Sequence, residues 1–261
     1  MKFLGIDLGW VSGATGLCCL EWRADHLHLV TLDCLLPLSE ILAWVDQQVP
    51  SGKPGMVAVD APTQITNQTG MRGCDRKAHQ YFGRYHAGCY PANLNSSFAE
   101  RTTGFSQALA ERGFNHAPSM VPQQLGRYQI EVYPHAAMIG LFDLPQILKY
   151  KKGKIAERRA ELERLCHLIL TRLPQQEPPL MIEQLPKIPT KGAALKAVED
   201  QLDSLICAYI AAHWWYWGQQ RNLVLADLAL ADMRTVSDLN TAITSGYIVI
   251  PYPQGNPELL D

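Results

Sequence analysis

The stretch "FLGIDLGWVSGATGLCCLEW", residues 3 to 22, begins as a buried β-strand and then breaks its own pattern. Phe3 to Leu8 is apolar except for Asp7, and Gly9, Gly13 and Gly16 follow. An ionised carboxylate at the end of an apolar strand is costly to desolvate without a partner. That partner can be a metal, a phosphate held through a metal, a base or solvent. The glycines read as room for backbone to approach metal or phosphate.

Outward from this segment, Ala14 to Trp22 and Leu27 to Leu36 read as two further strands, joined at the polar Arg23-Ala24-Asp25 turn. Pro37 to Val49 carries helical spacing at Leu38, Ile41, Leu42 and Val45. After the Ser51-Gly52-Lys53-Pro54-Gly55 break, "MVAVDAP" supplies a fourth strand that again ends in an aspartate, Asp60. Residues 62 to 128 are rich in Gly, Pro, Asn, Gln and aromatics and read as a loop-rich insertion. "YQIEVYPHAA" gives a fifth strand ending near Glu131, followed by a helix. Helices are predicted over Ile155 to Leu173, with Leu162, Leu165, Ile169 and Leu173 inward, and over about Ala193 to Trp217. "GYIVIPYP" looks like a last short strand. This order of elements implies one α/β domain over residues 1–261, a mixed sheet with helices packed on it.

Asp7, Asp60 and Glu131 each lie in or at the end of an apolar strand, where Val or Ile would be ordinary. In "KAVEDQLDSLICAY", Asp200 and Asp203 are three residues apart on one helix face. Leu202, Leu205, Ile206, Tyr209 and Ile210 form the apolar arc, with Asp203 at its edge and Asp200 further toward solvent. Carboxylates gathered at short range raise one another's pKa unless a counter-charge is present. Mg2+ or Mn2+ supplies that charge through hard oxygen ligands. Two such ions can hold the attacking water and the leaving oxygen of a phosphodiester, so the implied chemistry is in-line hydrolysis at phosphorus.

"GIDLG", "VAVDAP", "IEVYPHAA" and "EDQLDSLICAYIAA" together resemble the family catalogued as domain of unknown function 429, described as predicted nucleases of ribonuclease H-like fold. The resemblance covers roughly residues 2 to 217, with the motifs in the family's order. It implies a five-stranded mixed sheet whose second strand is antiparallel, helices on both faces, and an acidic site at the ends of the central strands. On that basis Asp7, Asp60, Glu131 and Asp203 match the acidic positions, with Asp200 beside them as a further metal ligand. The small Ala that usually follows the helix Asp is Ser204 here. Arg72 and Asp75 match an "R-x-CD" segment and become the leading substrate-side residues.

Around them, "TGMRGCDRKAHQYFGRYHAGCYPAN" interleaves Arg72, Arg76, Lys77 and Arg84 with aromatics, a composition suited to phosphate contact and base stacking. Its Cys74, His79, His86 and Cys89 match no zinc spacing, and a reduced, partly buried loop is the plainer reading. "KYKKGKIAERR" places Lys151 and Lys152 before a helix, as phosphate contacts or as a solvated helix entry. His135 is a general-base candidate, although a hydrogen-bonded structural role suits it better. The tryptophans of "AHWWYWGQ" suggest a hydrophobic clamp or a homodimer surface.

Composition bounds the partners. The 261 residues are 47% hydrophobic, with a net charge of −2, so no global positive field gathers nucleic acid, although metal ions can bridge carboxylates to a phosphate. No apolar run reaches the roughly 18 residues needed to cross a membrane, no secretory signal opens the chain, and seven irregularly spaced cysteines suit a reducing cytoplasm. A Walker loop, a Gly-x-Ser-x-Gly elbow and a dinucleotide fingerprint are missing. The expected activity is a metal-dependent nuclease or phosphodiesterase acting on DNA or RNA. The rivals are a phosphotransferase of the actin, Hsp70 and sugar-kinase group, which shares the "GIDLG" opening but needs a second copy of the fold, and a non-catalytic scaffold.

Overall fold

The computed structural model describes residues 1–11, 13–227 and 245–252. Its first strand, β1 (Lys2–Asp7), runs antiparallel to β2 (Thr15–Arg23), which runs antiparallel to β3 (His26–Leu35). The β2 to β3 turn is two residues long, and both Ala24 (φ 50) and Asp25 (φ 62) take the left-handed backbone that such a tight hairpin requires. Helix α1 (Leu38–Gln48) then returns the chain to β4 (Gly55–Val59), parallel to β1.

Helices α2 (Gly73–Phe82) and α3 (Ala99–Glu111) follow, then β5 (Asn115–His116), β6 (Arg127–Glu131), α4 (Pro134–Phe142) and α5 (Ile155–Arg172). Strand β7 (Leu180–Met181), the long α6 (Gly192–Trp217) and the antiparallel pair β8 (Asn222–Ala226) and β9 (Tyr247–Pro251) complete the order. The residues expected to be irregular, 62–128, therefore contain two regular helices. Asp75 helps hold the start of the first, because its carboxylate accepts from the Arg72 and Ala92 amides, the latter seventeen positions away.

The main sheet has the order β5-β6-β4-β1-β2-β3-β7. Five strands were expected and seven are present; the two additions, β5 and β7, are two-residue strands at opposite edges. The five in the middle, with β2 antiparallel to the rest and helices on both faces, form a ribonuclease H-like architecture.

Side-chain alternation divides the core. Leu4, Ile6, Leu17, Val57 and Val59 face the layer that holds α1 and α3, whereas Phe3, Cys18, Leu20, Met56 and Ala58 face α4, α5 and α6. Both faces are covered, which is why β1 and β4 read as nearly unbroken apolar runs. Leu162, Leu165, Ile169 and Leu173 are buried as their spacing predicted.

Helix α6 lies unusually close to the sheet. A Cβ on Gly5 would stand 1.9 Å from the Ser204 carbonyl oxygen, and one on Gly16 would stand 1.9 Å from that of Asp200. Gly16 thus makes room for a helix backbone, not for metal or phosphate. Gly9 has a similarly local reason, since its Cβ would meet the Gly13 carbonyl oxygen at 2.2 Å. Trp214 and Trp215 are buried, and Trp215 packs 5.4 Å from Phe3 and 6.0 Å from Trp22, so these two serve the interior and not a dimer surface.

Candidate active site

Three parallel strands end side by side. Ile6 pairs with Val59 and Val59 with Glu131 in register, and the Asp60 amide donates to the Ile6 carbonyl oxygen at 2.8 Å. Asp7 and Asp60 therefore leave the sheet together at its carboxyl edge. Against that edge the close approach of α6 delivers Asp200 and Asp203, both buried. Asp7, Asp60 and Asp200 line one cleft of about 740 Å3, together with Trp10, Tyr90, Tyr133, His135, Lys151 and Lys196.

Charge in this cleft is unbalanced. The Lys151 ammonium lies 3.7 Å from an Asp7 oxygen and in direct contact with Asp203 Oδ2. The Tyr150 hydroxyl donates to Asp203 Oδ1 at 2.6 Å. Burial alone would raise the Asp203 pKa, but Lys151 and Tyr150 outweigh it and hold the group below the usual carboxylate value. Asp7 fares differently. Burial pushes it up to about 7, Lys151 opposes that, and Asp203 and Asp200 push it further. Asp60 is raised well above its ordinary value, first by burial and then by Asp7. Asp200 is raised by burial against the pull of Lys196, which contacts it and also reaches Glu199 at 3.0 Å. Among the described residues, two ammonium groups therefore face four carboxylates.

Glu131 is near enough to Asp60 to raise its pKa, but its own carboxylate is engaged elsewhere. It pairs in register with Val59, so alternation turns it toward the sheet face opposite Asp7. There its oxygens accept from Arg72 Nη2 at 2.6 Å and Arg72 Nη1 at 2.9 Å, and from the Thr63 amide at 2.8 Å. Arg72 also donates to Asp75 Oδ1 at 2.6 Å, and all three side chains are almost fully buried. Arg72 and Asp75, expected on the substrate side, thus form a buried ion-pair triad with Glu131. Cys74, Asp75 and Glu131 bring ligand atoms within 4.8 Å of one another. The guanidinium already supplies the positive charge there. Asp60 borders this smaller cavity as well as the main cleft. Arg76 is exposed and 3.7 Å from Asp227, and Lys152 is exposed outside the lining of the cleft.

His135 lines the cleft, stacks on Tyr150 at 5.4 Å, and has a buried Nδ1 without a hydrogen-bond partner. Burial lowers its pKa to about 4, so the ring is neutral near pH 7. His79 and His86 form no metal cluster with the cysteines among the described residues, and His79 Nε2 instead lies 2.8 Å from the Cys89 carbonyl oxygen. Tyr150 and Lys196 were not foreseen. Lys196 left a signal, since it stands four residues before Asp200 on one helix face.

The fold and the site together define an α/β protein of ribonuclease H-like architecture with an acidic cleft at the carboxyl edge of its sheet. The chain belongs to the DUF429 family, described as a protein of unknown function, whose family model matches residues 5–227. No curated protein matches the chain. Among solved structures, Thermus thermophilus RuvC is similar at 14% identity and a TM-score of 0.34, over 81% of this chain and 98% of that one.

Proposed function

We propose that this protein hydrolyses nucleic-acid phosphodiester bonds at the cleft of Asp7, Asp60, Asp200 and Asp203, using Mg2+ or Mn2+ held by those carboxylates. The observation that carries the reading is the charge imbalance of the cleft. Burial pushes Asp7 up to about 7 and raises Asp60 well above its ordinary value, and the neighbouring carboxylates add to both shifts against the pull of Lys151. Carboxylate oxygens in excess of their counter-charge are the donor set that hard divalent cations take. The unpartnered buried Nδ1 of His135 adds a polar atom without a mate on the same wall. Glu131, bound to Arg72, serves to fix the strand end beside Asp60 and is not needed as a ligand.

When bound, a divalent ion supplies Lewis-acid polarisation of a phosphoryl oxygen and activation of water. The protein's own groups do the rest. The Tyr150 hydroxyl fixes the Asp203 carboxylate, and Lys196 fixes Asp200, so that two acids are oriented before substrate arrives. Lys151 offers its ammonium to a phosphate oxygen when it leaves Asp7. Neutral His135 offers its free ring nitrogen to a water or a substrate oxygen.

The test is Mn2+-dependent cleavage of DNA and RNA by the wild type against Asp7→Asn. Cleavage by the wild type alone supports the reading, and equal behaviour of the two proteins refutes it.

A further inference from the structure

The wall of the cleft carries exposed aromatic rings that the hydrolytic chemistry does not use. Trp10 is 39% exposed and Tyr90 67% exposed, and both line the cleft with Asp7 and Asp60. Their ring centroids are 5.4 Å apart at 66°, and Trp10 is backed at 4.5 Å by buried Phe98. The shelf is held in place from beneath. Arg101 Nε donates to the Gly9 carbonyl oxygen at 2.7 Å, and the Gly9 amide donates to Thr15 Oγ1 at 3.1 Å.

Trp10 follows Asp7 by three residues, so its Cα lies within about 11 Å of that of the acid. A nucleotide whose phosphate sits on the acids therefore brings a base into reach of the rings. Beyond the phosphate contacts made through metal and Lys151, a chain with a net charge of −2 has no global positive field to hold a strand, so binding gains from a further source. Base stacking meets that need, since it is sequence-tolerant and requires only an accessible π-face. In an intact duplex both faces of each base are already stacked on their neighbours.

We infer that Trp10 and Tyr90 form a stacking shelf for an unpaired base next to the scissile phosphate, so that the substrate class is single-stranded nucleic acid or a strand with an extruded nucleotide. The inference rests on the hydrolytic reading of the same cleft. It is tested by fluorescence anisotropy with calcium present, using one labelled oligonucleotide as a single strand, as a perfect blunt duplex, and as the same strand with its bases replaced by abasic sites. The single strand binds tightest. Tyr90→Ala weakens that binding by about 5- to 150-fold, the loss alanine substitution causes in base stacks, and Tyr90→Phe restores it. Equal binding of the three oligonucleotides, unchanged binding by Tyr90→Ala, or no binding of any strand overturns the shelf. Mn2+-dependent hydrolysis of bis(p-nitrophenyl) phosphate, measured separately, reports on the acids alone. Strand binding that depends on Tyr90 without that hydrolysis sinks the hydrolytic reading and leaves the shelf. Hydrolysis without Tyr90-dependent binding does the reverse.

Discussion

Replacing Lys151 with Met removes the cation that stands closest to Asp7 and Asp203. At 3.7 Å and an effective dielectric near 20, the Asp7 pair alone is worth about 4 kcal/mol of attraction before desolvation is counted. Stripping a partner from a fully buried pair costs about 3–5 kcal/mol. The Lys151 side chain is 32% exposed, so water replaces part of what is lost and the expected cost falls to about 2–4 kcal/mol. In the wild type an added cation competes with the ammonium for Asp7 and Asp203, and in Lys151→Met it does not. Urea unfolding in EDTA and then in Mn2+ reads both quantities. The variant unfolds at lower urea in EDTA, and Mn2+ at a hundredfold its Kd stabilises it by about 2.7 kcal/mol, raising its midpoint by more than that of the wild type. Lys152→Met, an exposed neighbour, changes neither. An Mn2+ shift in Lys151→Met equal to or smaller than that of the wild type refutes the reasoning, because the ion would then bind away from the ammonium.

Arg72→Met leaves Glu131 and Asp75 buried without their shared cation and lowers stability by about 3–5 kcal/mol, read from the urea midpoint at unchanged slope; a loss under about 1 kcal/mol contradicts the triad. Gly16→Ala drives a Cβ into the Asp200 carbonyl oxygen, costs about 1–3 kcal/mol, and moves Asp200 away from Asp7. Gly13→Ala, whose Cβ would find its nearest atom at 3.8 Å, stays within about 0.5 kcal/mol of the wild type in thermal melts. Buried His213 has a pKa lowered by burial from 6.5 to about 4, so the unfolded chain binds a proton the native one refuses. Its contribution is fully present above pH 6.5 and declines by up to about 3 kcal/mol as pH falls toward 4. The stability profile of His213→Gln is flatter over that window, and an unchanged slope contradicts this origin.

The central strands were legible because apolar runs that end in Asp7 and Asp60 are rare and locally visible, and α5 and α6 were legible from their spacing. What depended on long-range pairing was not. Helices α2 and α3 do carry helical spacing, at Cys74, Ala78 and Phe82 and at Thr102, Phe105 and Leu109, but the Gly, Pro and Asn around them masked it, and α2 also draws on the contact of Asp75 with the Ala92 amide. The two-residue edge strands are too short to leave a pattern. Glu131 looked equivalent to Asp7 because the sequence shows that it ends a strand but not its register; one position of parity turns it to the other face, onto an arginine 59 residues away. Asp200 seemed to face solvent because helical geometry alone does not reveal Gly16 beneath its backbone, which lets the helix settle against the sheet. Gly9, Gly13 and Gly16 were read as room for a ligand, yet Gly16, like Gly5, admits α6. That helix carries two of the acids to the strand ends, so the glycines serve the site by packing.

The most direct measurement of the central claim is anomalous scattering from a crystal soaked in Mn2+. A peak is expected in the cleft within coordination distance of Asp7 and Asp60, with Lys151 withdrawn from Asp7. A cleft without a peak, or a peak confined to Cys74, Asp75 and Glu131, would contradict it.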